Sequence, residues 1–590
     1  MEVTGKNRSL YLKAINHMIK CDLTIGNVIV FDVFTGKLFV GSVDILEGVI
    51  IQVREGAAED AGYAKAYYNG KGMYLVPGFI DTHIHIESTM MTPENFAYTV
   101  LPHGTTTVVA DPHETANVNG IQGVRFMLDN AKKAQLRQFF LAPSCVPAVP
   151  NLENSGAVFK EKEISELLDT PGIIGIGEVM DYMNVCKDED RMHGILQEGL
   201  KRGVFIQGHA PRLTGESLNA YITAGAQSDH ECRDREECAL KQRKGMHVNL
   251  KSSSLSNYLK ENLTVVNTQR WKDNVSLCTD DVHAEVLFKE GHIDRIIREA
   301  ISYGADPIEL YRFATYNAAR EYQLCDLGAV APGYTADLQL LKNLNGSCPE
   351  AVFIGGNVVA EHGKYCFKNH NPEKLHFENS IHLDYDISLE DFKIKVPAHC
   401  TDETEALVIQ SKYKGTSFNK GFYEKVPVNS GYVDISSLDN YQFCGVFNRY
   451  GRHNHTIGIM KGFGIKEGAL VSTIAHDSHN ITMVYRDPYD AMLAVHALKK
   501  SGGGIAVASK GKILSLLPLP VMGLMSDLPA SQLADQIKDT EAALKKISDD
   551  SCYLLKIATI ALPVLPGTII TDEGIVDGEK QVFLSLFKEN

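Results

Sequence analysis

Val76-Pro-Gly-Phe-Ile-Asp-Thr-His83-Ile-His85-Ile-Glu87 is an apolar run that closes on two histidines one residue apart. Residues i and i+2 of a strand share a face, so both imidazoles point the same way. At the C-terminal end of a barrel strand, such a pair is placed to hold one metal ion. Alone, His-x-His is a weak signal, since two satisfied core histidines would look the same. The chain downstream strengthens it. From Tyr74 to Leu324, short apolar runs alternate with helix-like stretches. The clearest runs are Val108–Ala110, Ile173–Ile176, Val204–Gln207, His247–Leu250 and Val275–Cys278, with helical patterns over Gly120–Ala134, Glu163–Leu168 and Asp294–Ile301. Buried runs separated by helices indicate a parallel sheet covered on both faces. About 250 residues of such alternation suit a (β/α)8 barrel.

Polar residues recur where these runs end. Asp111 and His113 follow the second run, Glu178 follows Ile173–Gly177, and His209 follows Val204–Gly208. His230 comes after a shorter apolar segment, and Asp280 and Asp281 follow Val275–Thr279. Any one of them could be a core histidine or a helix cap. In barrel order they converge on one mouth. Four histidines with Glu178 and Asp280 make an all-nitrogen and oxygen donor set, suited to Mn²⁺, Fe²⁺ or Zn²⁺ and large enough for two ions. Two ions lower the pKa of a water held between them, and a nearby aspartate can then carry its proton to a leaving group. The residues alone therefore predict a metal-dependent hydrolase.

Gly-rich short strands flank the barrel on both sides. They predict an α/β protein with three parts: a small β domain from residues 1–73 and 325–378, a TIM-like barrel over 74–324, and a C-terminal α/β domain over 379–590. In the last, Tyr441–Phe447 and Gly504–Ser509 read as strands and Ala491–Lys500 as a helix. The 590 residues are 44% hydrophobic and 22% charged, a balance that excludes a mostly disordered chain. Lys and Arg total 58 against 73 Asp and Glu, so a nucleic-acid partner is not expected. Met1–Lys20 shows no secretory pattern, and the apolar run Ile513–Met525 is short and broken by Pro518 and Pro520. No membrane partner is expected. The 12 cysteines contain no Cys-x-x-Cys pair, which fits a reducing cytoplasm rather than a disulfide scaffold or thiolate zinc site.

Longer segments resemble a known family. Pro77-Gly-Phe-Ile-Asp-Thr-His-Ile-His-Ile-Glu-Ser, Asp111-Pro-His-Glu, Pro143-Ser-Cys-Val-Pro and Gly177-Glu-Val-Met are similar to the amidohydrolase superfamily and, within it, to the bacterial-type adenine deaminases. Gly208-His-Ala-Pro, Ser228-Asp-His-Glu-Cys, Cys278-Thr-Asp-Asp, Ala475-His-Asp-Ser-His-Asn and Ala561-Leu-Pro-Val continue the likeness over nearly the whole chain. The resemblance implies hydrolytic deamination of adenine to hypoxanthine and ammonia, a step of adenine catabolism and purine salvage, in a homo-oligomer. It implies a binuclear centre, of Mn²⁺ or Fe²⁺ with Zn²⁺ as a further option, held by His83, His85, Glu178, His209, His230 and Asp280. Glu178 stands where many relatives carry a carboxylated lysine, and would bridge the ions. Asp280 would shuttle protons. His113, Glu114 and Asp281 would hold the purine, and His476 would reach the pocket from a C-terminal domain folded over the barrel mouth.

One departure stands out. Lys251-Ser-Ser-Ser replaces the family's Arg-Glu-Gly-Ser near the seventh strand, and Arg and Lys are not equivalent in a forked contact. Two other enzyme readings compete. The zinc nucleobase deaminases need Pro-Cys-x-x-Cys after His-x-Glu, and nothing of that form follows His283-Ala-Glu285. An N-acetyl amino-sugar deacetylase would use the same fourth-strand glutamate but needs an Arg-rich pocket. A non-catalytic amidohydrolase-like scaffold would be expected to lack metal ligands, and none is missing.

Overall fold

The computed structural model describes residues 5–56, 62–366, 375, 377–412 and 418–588. An eight-stranded sheet makes up the small β domain. Cys21–Asp32, Lys37–Leu46, Val49–Glu55 and Ala64–Pro77 enter it from before the barrel, and Leu338–Leu341, Ala351–Ile354, Asn357–Glu361 and Lys364–Tyr365 from after it. The two halves meet where Ala64–Pro77 pairs antiparallel with Leu338–Leu341. That strand runs past residue 73, and only Gly78 separates it from the barrel. A side chain at Gly78 would lie 2.1 Å from Thr106 Oγ1, so the tight approach requires glycine.

The barrel has eight parallel strands. In order they are Phe79–Ile84, Thr105–Ala110, Arg137–Ala142, Ile173–Val179, Phe205–Gly208, Ser228–Asp229, His247–Lys251 and Val275–Cys278. The first five pair in sequence, and so do the last three. The eighth closes on the first through the Asp280 N–H, which donates to the His83 carbonyl at 2.9 Å. Two strands escape the apolar-run reading. The third begins Arg137-Gln, and the sixth is two residues long. The helix expected over Gly120–Ala134 begins earlier, at His113, and breaks at Gly120, whose φ of 58° leaves the helical region.

Beneath the mouth, the barrel floor is polar. Glu321 accepts hydrogen bonds from Asn249 Nδ2 at 2.8 Å and Ser276 Oγ at 2.8 Å. Burial pushes its carboxyl up to about 8, against the lowering effect of those donors. The consequence for stability has a definite sign. Between the ordinary value of 4.5 and about 8, the unfolded chain releases this proton while the native protein keeps it, so stability falls as pH rises through that window. Glu321→Gln removes the penalty. It should raise the melting temperature at pH 8.5, by an amount corresponding to on the order of 5 kcal/mol, and change it little at pH 5. Equal melting shifts at both pH values would show that Glu321 is ionised in the fold.

The C-terminal domain is built on a nine-stranded sheet that includes Tyr441–Phe447 and Gly504–Ser509, packed by the helix Pro488–Ser501. Further helix and strand, Ala530–Leu544 and Thr568–Ile570, follow. This domain lies across the barrel mouth rather than beside it. Met90, Met91 and Phe96 of the barrel share one continuous core with Met522, Leu524 and Leu533, and the Ser526 N–H donates to the Met90 carbonyl at 2.8 Å. A chain cut near residue 378 would therefore expose this core. Among the described residues, no helix is long and apolar enough to cross a membrane.

Candidate active site

The two histidines of the first strand project from its C-terminal end into the mouth, their ring centroids 4.7 Å apart. His83 Nε2 lies 3.3 Å from Asp280 Oδ1, and His85 Nε2 lies 3.2 Å from the same oxygen. Glu178 divides its oxygens. Oε1 faces His85 Nε2 at 3.2 Å, while Oε2 faces His209 Nδ1 at 2.5 Å and His230 Nε2 at 3.2 Å. One carboxylate thus touches both halves of the cluster, the placement a bridging ligand needs. The glutamate is itself fixed through its backbone, since its N–H donates to Asp111 Oδ2 at 2.8 Å. Gly177 leaves room for that oxygen, which a side chain there would meet at 2.2 Å.

The electrostatics suit a cation. Burial drives the Glu178 carboxyl up, but the His209 charge and the close approach of the His209, His230 and His85 imidazoles hold it well below the usual range. Burial also raises Asp280, and the Lys251 charge together with His83 and His85 holds it well below its ordinary value. Burial and the neighbouring His83 lower His230, which leaves a neutral imidazole with a lone pair to give. Among the described residues, His83 Nε2 and His230 Nε2 are buried without a hydrogen-bond partner. The groups His83–His85–Glu178 and His83–His230–Asp280 each bring their donor atoms within 4.8 Å of one another. Buried carboxylates and orphaned imidazole nitrogens at this spacing fit a divalent metal centre.

Lys251, the departure from the family pattern, is buried at this site. Its Nζ donates to Asp280 Oδ2 at 2.7 Å and to Glu231 Oε1. An ammonium serves two separate acids here as a point charge, so no forked contact is required of it. Burial lowers Lys251, and Asp280 and Glu231 outweigh that to raise it well above its usual value.

The C-terminal domain supplies the opposite wall. His113 Nε2 lies 3.6 Å from Asp477 Oδ1, and His476 Nε2 lies 3.9 Å from Asp281 Oδ1. His113, Asp281, His476 and Asp477 all line a cavity of about 140 Å³ that reaches Glu178 and Asp280. Glu114 stands one layer back. It takes a hydrogen bond from Ser88 Oγ at 2.6 Å and faces His476 Nδ1 and His479 Nε2, each at 3.6 Å. Motif spacing does not single out Glu231, Asp477 or Gln207 as site residues. Gln207 has a signal nonetheless, because it precedes His209 by two on the same strand face.

The likeness to known proteins covers the same regions. Residues 74–359 match the amidohydrolase family, and residues 417–582 match the adenine deaminase C-terminal domain. Adenine deaminase 2 of Carboxydothermus hydrogenoformans is 37% identical over 565 residues, which span 94% of this chain and 95% of that protein. The chain belongs to the adenine deaminase family. The adenine deaminases of Bacillus pumilus and Halalkalibacterium halodurans are each 36% identical, over 95% of this chain and 95% and 94% of theirs. Membership accounts for a metal centre in the amidohydrolase barrel and for the presence of the C-terminal domain.

Proposed function

We propose that the protein is an adenine deaminase, hydrolysing adenine to hypoxanthine and ammonia in the cytoplasm as a homo-oligomer, with no nucleic-acid or membrane partner. The observation that carries the reading is family membership over nearly the full length of both chains, with His85, Glu178, His209 and Asp280 lining one cavity and His83 and His230 packed against Asp280 and Glu178. His83, His85, Glu178, His209, His230 and Asp280 would hold a pair of Mn²⁺ or Fe²⁺ ions, or Zn²⁺. When bound, such a pair supplies Lewis acidity and makes a water nucleophilic near neutral pH.

The chain's own residues do the rest. Adding water at C6 makes that carbon tetrahedral, so N1 must gain a proton and the amino nitrogen must leave protonated. Asp280, ionised beside Lys251, takes the two protons of the attacking water in turn, handing the first to N1 and the second to the departing nitrogen, so that C6 keeps the oxygen as a carbonyl. His113, Asp281 and His476 position the purine, while Glu114 braces His476 from behind. Leu555, Leu562 and Leu565 from the C-terminal domain help wall the cavity and limit water, which strengthens every charge interaction inside. Its small volume lies below the ~300–1,000 Å³ of pockets for drug-sized ligands and suits a free base. A phosphorylated amino sugar would find Arg233 as the single arginine among the described lining residues, with its guanidinium 4.4 Å from the centre of the Phe418 ring.

The test is an adenine-to-hypoxanthine absorbance assay on protein reconstituted with Mn²⁺, Fe²⁺ or Zn²⁺, run beside an N-acetyl amino-sugar substrate. Turnover of adenine alone is expected. No turnover of adenine with any of the three metals would overturn the reading. His476→Ala should lower kcat/KM by roughly 10–100-fold, about 1.4–2.7 kcal/mol, with metal content and melting temperature unchanged. Unaltered kinetics would remove His476 from the site.

A further inference from the structure

We infer that Gln207 is a positioning residue for the metal centre, holding His83 in the one tautomer that can ligate. The inference rests on the proposed metal-binding role of His83. A neutral imidazole carries its proton on one nitrogen and offers a lone pair on the other, so a ligand atom at Nε2 requires the proton on Nδ1.

The hydrogen bonds around Gln207 leave no choice. Its Nε2 amide group donates to the Thr82 carbonyl at 3.0 Å and to the Tyr322 hydroxyl. A carbonyl can only accept. The Tyr322 hydroxyl spends its own proton on the same Thr82 carbonyl, at 2.7 Å, so it too can only accept from Gln207. Both acceptors demand the NH₂ end of the amide. That turns Oε1 towards His83 Nδ1, 3.0 Å away. An amide oxygen accepts and never donates, so Nδ1 must carry the proton. His83 Nε2 is left bare, buried, and without a hydrogen-bond partner among the described residues, facing Asp280.

The neighbouring histidine gives an internal comparison. His85 Nδ1 lies 3.1 Å from the Asp111 backbone carbonyl, which imposes the same tautomer by a group no substitution can remove. Of these two histidines, His83 is the one whose lock is a side chain. Gln207 sits two residues before His209 on the fifth strand, one layer deeper in the barrel and buried, so it has no route to the purine itself. Gly208 between them packs against the Ser228 carbonyl, which a side chain would meet at 2.1 Å, and this fixes the strand that carries both.

The experiment is metal affinity, read by competition with a chromophoric chelator for Mn²⁺ and Zn²⁺, on wild type, Gln207→Leu and Gln207→Glu. The melting temperature of each metal-stripped protein is measured alongside. Leucine keeps the volume and removes the acceptor, so affinity for one of the two ions should fall 10–100-fold. Glutamate keeps an acceptor for Nδ1–H but loses the amide donors to Thr82 and Tyr322, so its affinity should fall clearly less than that of the leucine variant. If Gln207→Leu does not fold, Gln207→Asn, whose shorter amide stops short of Nδ1, carries the same expectation. Wild-type affinity in the leucine or asparagine variant would overturn the inference, and so would equal losses in the glutamate and leucine variants. A wild-type protein that binds no divalent pair would instead overturn the metal reading on which it rests.

Discussion

Asp280→Asn should keep the metal pair largely bound and lower kcat by roughly 10³–10⁴-fold. The backbone favours asparagine as the replacement. Asp280 has a φ of 58°, in the left-handed region, where Asp and Asn are tolerated far better than other side chains. The N–H that closes the barrel on His83 is unchanged by the substitution. An asparagine can keep its oxygen at the position of Oδ1, while Lys251, which loses its acceptor at Oδ2, keeps Glu231 as a partner. The five other candidate ligands remain. What disappears is a group able to take up and release a proton, a contribution typically worth 10²–10⁴ in rate, with the lost contact to Lys251 added. Metal content per chain and steady-state turnover of adenine decide the matter together. Near-normal turnover with both ions present would take Asp280 out of proton transfer.

Glu178→Gln should fail differently, by losing metal. The two oxygens of Glu178 face separate halves of the cluster, His85 on one side and His209 with His230 on the other. A glutamine must turn its NH₂ towards one half, where it places hydrogens against imidazole nitrogens that should be giving lone pairs to an ion. At least one ion should leave, and activity should drop by roughly three orders of magnitude, about 4 kcal/mol of barrier. Elemental analysis after gel filtration measures the first, and the adenine assay measures the second. Two ions retained per chain would mean that another group bridges them.

The candidate site was legible in the sequence where a strand end coincided with a change from apolar to ionisable residues. His83, His85, Glu178, His209 and Asp280 all have that signature, and strand periodicity places them on one rim. The limits are equally specific. Arg137–Ala142 opens with two polar residues, so a run-based reading passes over a strand that is integral to the barrel. Ser228–Asp229 is too short to have a period, although His230 beside it was identified. Lys251 stood out only as a departure, because its two acids, Glu231 and Asp280, lie 20 and 29 residues away and meet it through barrel closure. Asp477 carries no signal of its own in the sequence. Its partner His113 belongs to another domain, and no local pattern reports a contact of that kind.

The antiparallel pairing of Ala64–Pro77 with Leu338–Leu341 also dictates the order in which the chain can mature. The first four strands of the small β domain leave the ribosome long before their partner exists, because roughly 260 residues of barrel intervene. At ~5–20 residues per second, that interval lasts roughly 10–50 s. Throughout it the Pro77 edge of the sheet is bare, and the barrel mouth later waits in the same way for Met522 and Leu524. Contacts this distant in sequence make for slow folding and leave apolar edges open to wrong partners. Nascent chains stalled before Leu338 should therefore depend on chaperones for solubility, and release from that dependence should come in two steps, one as each edge acquires its cover.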